Sequence, residues 1–253
     1  MLGLLGACAT GKPPTPFSAA QRYYEAGQDT EARRALENEL AARPDNLDAR
    51  YNLAVLLTRI GHTDAARKLY EENMQRGWHL PTVVNLSVLY RQAGEADRAR
   101  KLLQDAAAHF PNEAVPWYML AGMDARDGHN TEARRDYEQA LRADPRNGYA
   151  HIRYARFLAA HGDVSAALTQ SARAVALLPN IASCWMIHGD ILNQAGKYDA
   201  ALIAYQKSAA LDPDEADVRT RIIAVLRKLG DNARADRMEQ ALKRQAAMHG
   251  EDR

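Results

Sequence analysis

Residues 114–147 read AVPWYMLAGMDARDGHNTEARRDYEQALRADPRN. Within this stretch Gly128 is followed five residues later by Ala133, and Pro145 stands near its end. The same glycine and alanine return along the chain with a spacing of 33 or 34 residues. The glycines are Gly27, Gly61, Gly94, Gly128, Gly162, Gly196 and Gly230, and the alanines are Ala32, Ala66, Ala99, Ala133, Ala167, Ala201 and Ala235. A fixed period of this length predicts a solenoid of stacked helical hairpins, because each hairpin can bury its apolar face only against its neighbours.

Each recurring residue has a physical role in such a hairpin. Gly128 suits the end of a first helix, because glycine reaches positive φ without a Cβ clash. Ala133 is small enough to let the second helix approach Ala121 of the first helix closely. Pro145 stops the second helix, since proline has no N–H to continue the ladder and disfavours helix in the residue before it. No stretch alternates apolar and polar residues, so we expect no strands.

The repeat resembles the tetratricopeptide repeat. The family's places are filled in the fourth repeat by Trp117, Leu120, Ala121, Gly128, Ala133, Tyr137, Ala140 and Pro145, and in the sixth by Trp185, Gly189, Gly196, Ala201, Tyr205 and Pro213. The resemblance implies an all-α protein, a right-handed α-solenoid of about seven hairpins over residues 17–249. We number the repeats 1 to 7, at 13–46, 47–79, 80–113, 114–147, 148–181, 182–215 and 216–249.

Two repeats depart from the family pattern. Repeat 2 is one residue short and carries Gly77-Trp78-His79-Leu80-Pro81 where a closing proline is expected, which predicts a different turn. Repeat 7 has Glu239 at the place of the second-helix aromatic residue. Its second helix also carries the basic residues Arg234, Arg237, Lys243 and Arg244. A terminal repeat needs such a polar face, so repeat 7 is interpreted as a capping element.

The N-terminus resembles a bacterial lipobox. Leu5-Gly6-Ala7-Cys8 places an aliphatic residue and two small residues before the cysteine that becomes diacylated after cleavage. The apolar run is too short to span a bilayer as a helix. We therefore predict a residual signal peptide at 1–7, and the lipidated Cys8 with a Pro-rich tether at 8–16. No Lys or Arg precedes the run, so the alternative is an ordinary N-terminus that contains a cysteine.

The composition predicts no catalytic chemistry. The net charge is +1, from 33 Lys and Arg against 32 Asp and Glu, which gives no pull toward nucleic acid. The 8 histidines form no i, i+4 pair and no Cys/His cluster with metal spacing, and the phosphate-loop and nucleophile motifs are missing. We therefore expect no enzyme activity, catalytic residue, metal, cofactor or small-molecule substrate. Cys184 and His188 are interpreted as packed core residues.

A candidate site follows from the family resemblance, which implies that the first helices line a concave groove. The fifth places of the repeats hold an apolar and aromatic stripe of Phe17, Tyr51, Val84, Tyr118, Ile152 and Met186. A basic flank beside it consists of Arg59, Arg91, Arg126 and Arg156. Such a groove suits apolar anchors of a bound peptide or helix, with carboxylates against the flank. The alternative is that these side chains only cover neighbouring hairpins.

Together these features predict a non-enzymatic scaffold for protein–protein interaction, held at the bacterial envelope by its lipid anchor. Ala9 after the cysteine resembles outer-membrane lipoproteins, so the predicted location is the outer membrane, facing the periplasm. The architecture resembles that of lipoproteins of pilus assembly, of the pilotin or Flp/Tad type, and of adaptors for cell-wall hydrolases or proteases. The Lys and Asn residues with which some family members clamp a C-terminal carboxylate are missing from the ninth places. A cytoplasmic adaptor remains the alternative.

Overall fold

The computed structural model describes residues 16–213 and 216–250, so the predicted lipobox with Cys8 lies outside the described residues. Within them the chain forms fourteen α-helices and no strand. The helices are α1 Pro16–Glu25, α2 Asp29–Ala42, α3 Leu47–Arg59, α4 Thr63–Arg76, α5 Leu80–Gln92, α6 Ala96–His109, α7 Ala114–Asp127, α8 Asn130–Ala143, α9 Gly148–Ala160, α10 Val164–Leu177, α11 Ala182–Gln194, α12 Tyr198–Leu211, α13 Ala216–Lys228 and α14 Asn232–Gly250. Odd-numbered helices are the first helices of the repeats, and even-numbered helices are the second. The predicted all-α fold of about seven hairpins is confirmed.

The chain divides into two compact units. The N-terminal unit ends at Pro111 and contains α1 to α6, whereas the C-terminal unit begins at Asn112 and contains α7 to α14. In the N-terminal unit successive hairpins are joined by packing of α2 on α3 and of α4 on α5. In the C-terminal unit the first helix α9 packs against both α7 and α11. First helices of neighbouring repeats therefore lie side by side there.

Every hairpin turns on a glycine in the left-handed region. The φ angles of the seven repeat glycines lie between 71° and 84°. Gly128 ends α7, and its N–H donates to the carbonyl oxygen of Asp124. A residue with a Cβ is strained at such a φ, which explains the glycine at this place.

The seven repeat alanines are all fully buried. Ala133 belongs to a core cluster with Ala121, Tyr137 and Leu158, formed between repeat 4 and the first helix of repeat 5. Because Ala133 and Ala121 have no accessible surface, the two helices of the hairpin pack with no room for a larger side chain. The role predicted for these small residues matches their position in the fold.

A second recurring contact fixes the start of the first helices. In four repeats the side chain at the fourth place donates to the carbonyl oxygen of the closing proline six residues before it. In repeat 5 the donor is His151 Nε2, 3.0 Å from the Pro145 oxygen, and in repeat 6 it is Trp185 Nε1, 2.8 Å from that of Pro179. The same bond joins Arg50 to Pro44 and Arg219 to Pro213. In these four repeats chemically different side chains therefore fasten the first helix to the preceding turn, whereas Trp117 Nε1 at the same place of repeat 4 has no partner among the described residues.

The turn between repeats 2 and 3 has a form of its own. The helix α4 ends at Gly77, and His79 becomes the N-cap of α5, where its Nδ1 accepts from the backbone N–H of Thr82. The fully buried Asn73 donates to the Leu47 carbonyl oxygen at 3.0 Å and to Thr82 Oγ1 at 2.8 Å. This buried polar network links α4 to the first turns of α3 and α5 beside the altered turn.

The last repeat ends the apolar core. Met238 and Leu242 of α14 pack against the buried cluster of Ile222, Val225 and Leu226. The four basic residues predicted to give α14 a polar face are exposed. Among the helices of the described part, none has the length and apolar character needed to cross a bilayer.

Candidate functional site

The candidate surface is the face of the first helices on which the second, fifth, ninth, twelfth and thirteenth places of each repeat lie. We call it the first-helix face and describe it separately in each unit. Phe17 lies in α1, but its side chain falls outside the described part.

In the N-terminal unit the fifth places hold Tyr51 and Val84, and both are half-buried. The Tyr51 hydroxyl accepts from Asn85 Nδ2 at 3.3 Å, and its ring centroid lies 5.9 Å from that of Tyr70 and 5.2 Å from that of His79. Burial raises the pKa of Tyr51. Tyr51 therefore joins repeats 2 and 3, and part of its surface remains open.

In the C-terminal unit the fifth places differ in exposure. Tyr118 and Met186 are half-buried, whereas Ile152 is only 5% exposed. Ile152 packs with Val175 and Cys184, so little of it is left for a partner. The most exposed aromatic side chain of the described residues is Tyr149, at 44%, on the second place of repeat 5.

The arginines of the predicted flank have different surroundings. Arg59 forms an ion pair with Asp29, and its guanidinium carbon lies 3.6 Å from the centroid of the Tyr24 ring. Arg59 therefore holds the first two hairpins together. Arg91 is exposed at the end of α5. Arg126 and Arg156 are exposed in the C-terminal unit, and neither makes an ion pair with any residue that the structure describes.

A third arginine joins these two. Arg153 stands one turn before Arg156 on α9, and its guanidinium carbon lies 5.2 Å from the centroid of the Tyr118 ring. Burial raises the pKa of Tyr137, and the positive charges of Arg153, Arg156 and Arg126 oppose that shift. All three charges thus act on one hydroxyl group. We call Arg126, Arg153 and Arg156 the arginine cluster.

Tyrosine hydroxyls reach the first-helix face from the second helices. The tyrosine at the same place of three repeats is Tyr70, Tyr137 or Tyr205. The Tyr70 hydroxyl accepts from Asn85 Nδ2 at 3.0 Å, and the Tyr205 hydroxyl donates to Asp190 Oδ1 at 2.8 Å. The Tyr137 hydroxyl has no hydrogen-bond partner among residues 16–213 and 216–250.

Tyr137 and Tyr205 differ at the ninth place of their repeats, whereas Tyr70 has its partner in the next repeat. In repeat 6 this place is Asp190, whose Oδ1 accepts the hydrogen bond of the Tyr205 hydroxyl. In repeat 4 it is Gly122, where an added Cβ would lie 3.8 Å from the Tyr137 oxygen. In the described part of the chain Trp117 Nε1 is the buried side-chain polar atom that lacks a partner. The Tyr137 oxygen, which also lacks one, therefore keeps some solvent-accessible surface, although the residue as a whole is only 5% exposed.

Cys184 and His188 are titratable groups that packing in the C-terminal unit perturbs. Burial raises the pKa of the Cys184 thiol to about 11 and lowers the pKa of His188. His188 Nδ1 is 2.9 Å from Ser171 Oγ, so His188 has the packed position expected for it. Asp124, Asp127 and His129 bring ligand atoms within 4.8 Å of one another at the turn of repeat 4. Asp124 and Asp127 have other polar interactions, and proximity alone does not assign a metal to this group.

Sequence reasoning missed Arg153, Tyr149 and the open hydroxyl of Tyr137. Tyr149 occupies the second place of repeat 5, which the family resemblance assigns to the groove, so its position carried a signal. Arg153 lies at a sixth place, outside the assigned set. Whether a tyrosine hydroxyl is hydrogen-bonded within the fold depends on the residue that faces it on another helix. No local sequence pattern predicts that residue.

Profiles of the tetratricopeptide repeat family match residues 23–72 and 125–187, residues 83–113, and residues 182–215, which together exceed half of the chain. No curated protein sequence matches the chain significantly.

Several solved structures share the fold. A chain of the APC/C hetero-tetramer Cut9–Hcn1 superposes with a TM-score of 0.67 at 18% identity, over 86% of this chain and 43% of that one. MamA from Desulfovibrio magneticus RS-1 gives a TM-score of 0.58 at 20% identity, over 66% of this chain and 94% of MamA. A tetratricopeptide repeat protein from Parabacteroides merdae ATCC 43184 gives 0.62 at 15% identity, over 90% and 91%. This chain thus spans less than half the length of the Cut9–Hcn1 chain. Because the sequence identities are low, these similarities show a shared fold only. From the seven glycine-centred hairpins and the matching profiles, the chain belongs to the tetratricopeptide repeat family.

Proposed function

We propose that this protein is a non-enzymatic scaffold that binds a peptide or helix of a partner protein on its first-helix face. The observation that carries the proposal is the C-terminal unit, where Tyr149 and the arginine cluster are exposed beside the half-buried Tyr118. The fold uses none of these exposed groups in an ion pair among the described residues. Exposed aromatic and arginine side chains on one surface are the residue types enriched at protein interfaces.

The apolar and aromatic stripe is still proposed to bind the partner, but fewer of its residues are assigned to that role. Ile152 and Arg59 are occupied within the fold, so we assign partner binding mainly to Tyr118, Tyr149 and Met186 in the C-terminal unit. In the N-terminal unit Tyr51, Val84 and Arg91 remain the proposed contacts. Each unit provides its own binding surface in this proposal.

We further propose that Cys8 anchors the protein to the bacterial envelope as an outer-membrane lipoprotein. The support is Leu5-Gly6-Ala7-Cys8 and the Pro-rich segment after it. Such a tethered scaffold suits the assembly of a pilus or secretion complex. An adaptor for cell-wall hydrolases or proteases, and a cytoplasmic adaptor, are the competing functions.

Binding is tested by capture of partners from native extract, followed by titration of the recovered protein against variants. Tyr149→Ala should weaken binding about tenfold or more, as loss of an exposed aromatic anchor does. The matched control is Ile203→Ala, because Ile203 is 65% exposed on the second helix α12. If Ile203→Ala weakens binding and Tyr149→Ala does not, the interaction uses the second helices and the proposed site is wrong.

The anchor is tested separately by mass spectrometry of the N-terminus of native protein. A diacylated Cys8 should be found, and the protein should sediment with membranes, since several acyl chains anchor stably where one chain does not. Cys8→Ala should release it. An N-terminus that retains an unmodified Cys8 in native material would leave the cytoplasmic adaptor as the better reading.

A further inference from the structure

The arginine cluster stands out because neighbouring cations of the same face are already neutralised. Arg221 Nε donates to Asp190 Oδ1 at 2.8 Å, and Arg227 forms an ion pair with Glu239. By contrast, Arg126, Arg153 and Arg156 form no ion pair with any described residue, although Arg153 and Arg156 stand one turn apart on α9, which packs against the helix α7 that carries Arg126. Like charges held close together raise the local positive potential, so an anion is favoured between them.

The Tyr137 hydroxyl adds a neutral donor to this positive surface. Gly122 lies next to it, where an added Cβ would be 3.8 Å from the oxygen, and the ring is fixed by stacking on Tyr154 with centroids 5.3 Å apart. A hydroxyl that has no partner in the fold can donate to a bound anion without breaking a bond of the protein. The same group in repeat 6 already donates to a carboxylate, that of Asp190.

We propose that the arginine cluster and the Tyr137 hydroxyl bind side-chain carboxylates of an acidic segment in the partner protein. This inference rests on the proposed function and names the chemistry that the partner carries. Guanidinium groups present paired N–H donors that match a carboxylate, and the tyrosine supplies one more. The aromatic rings of Tyr118 and Tyr149 adjoin the cluster and fit an apolar residue next to the acidic ones. The partner segment therefore combines Asp or Glu with an apolar neighbour.

The charge balance of the chain favours a protein over a nucleic acid as the source of the anion. With a net charge of +1, the molecule offers no extended positive field, whereas binding to a phosphate backbone draws on many cationic contacts. Three arginines beside two aromatic rings provide a local site that suits a short acidic and apolar motif.

The test is a selection from a random peptide library displayed through the peptides' C-termini, so that only side-chain carboxylates are offered. The full chain serves as bait in three forms: wild type, a cluster variant with Arg126→Gln, Arg153→Gln and Arg156→Gln, and a matched control. The control carries Arg142→Gln, Arg146→Gln and Arg173→Gln, which are exposed residues of the same unit outside the first helices. It removes the same charge from the same unit.

Wild type and control should select peptides enriched in Asp and Glu beside an apolar residue, and the cluster variant should lose that enrichment. A selected peptide should bind the cluster variant at least about tenfold more weakly, with a smaller salt dependence. Selected peptides without acidic enrichment, or equal enrichment with the cluster variant, would overturn this inference and leave the proposed function standing. Failure to select any peptide would count against the proposed function itself.

A single-atom variant tests the hydroxyl. Tyr137→Phe should bind the selected acidic peptide about threefold to tenfold more weakly, with an unchanged melting temperature, because the hydroxyl makes no hydrogen bond within the described fold. Gly122→Ala should weaken binding of the same peptide, because it places a methyl group 3.8 Å from the Tyr137 hydroxyl oxygen. Unchanged affinity in both variants would remove Tyr137 from the site.

Discussion

Two glycines inside first helices of the C-terminal unit should respond in opposite ways to the same substitution. Gly122 lies within α7 and Gly189 within α11. Replacing glycine by alanine in a helix interior stabilises by about 0.5–1 kcal/mol, because alanine loses less backbone freedom on folding. Gly122→Ala should show this gain, since an added Cβ meets only the Tyr137 oxygen, at 3.8 Å.

Gly189→Ala should instead destabilise. Its Cβ would lie 2.6 and 2.7 Å from two carbons of the Tyr205 ring, far inside van der Waals contact. Tyr205 is fully buried and bonded to Asp190, so its ring cannot move aside cheaply. Overpacking of this kind costs about 1–3 kcal/mol. After subtraction of the helix gain, the expected net loss is up to about 2.5 kcal/mol, and the two variants should differ by the overpacking cost itself, about 1–3 kcal/mol.

The assay is urea denaturation of both variants and wild type, followed by circular dichroism. Both sites lie in the same unit, so one unfolding transition reports on both, and equal slopes would show that only stability has changed. The reasoning fails if Gly189→Ala is as stable as wild type, or if Gly122→Ala loses as much stability as Gly189→Ala. The first result would mean that the helices of repeat 6 can separate at low cost.

Four further variants probe other contacts of the fold. Ala133→Leu should lower stability by about 1–3 kcal/mol, measured by thermal melting, because Ala133 is fully buried between two helices; an unchanged melting temperature would contradict that packing. Tyr205→Phe should cost about 1–2 kcal/mol by breaking the bond to a carboxylate, while Tyr137→Phe should cost nothing measurable in the same melt. Burial lowers the pKa of His188 below its ordinary 6.5, so the unfolded chain takes up a proton that the folded chain resists. The stability that depends on neutral His188 should be present above pH 6.5 and decline as the pH falls below it, and His188→Leu should reduce this decline in denaturation series at several pH values.

The fold could be predicted from the sequence because its determinants are local and repeated. Gly128 needs only its own φ to end a helix, and Ala133 needs only a close neighbour, so each leaves the same mark in every repeat. The bond from the fourth place escaped prediction because its donor varies between arginine, histidine and tryptophan. At this place the position of the donor relative to the proline carbonyl oxygen recurs, and the residue type does not.

The candidate site was harder to predict for a related reason. A place within a repeat indicates which way a side chain faces, but its exposure depends on the neighbouring repeat. Ile152 faces the predicted side and is covered by packing with Val175 and Cys184, while Arg59 is held by Asp29. Tyr149 is exposed at a place where other repeats carry smaller or polar residues. Partner binding at all of these residues stays a prediction.

The ninth place of a repeat has a consequence for how such proteins change over evolutionary time. Asp190 ties the Tyr205 hydroxyl into the fold, and Gly122 leaves the same hydroxyl of Tyr137 open. A single codon change between glycine and aspartate at this place would therefore tie a tyrosine hydroxyl into the fold or release it. Such a change alters the donors that a repeat presents on its surface, while the glycine and alanine that define the hairpin stay the same.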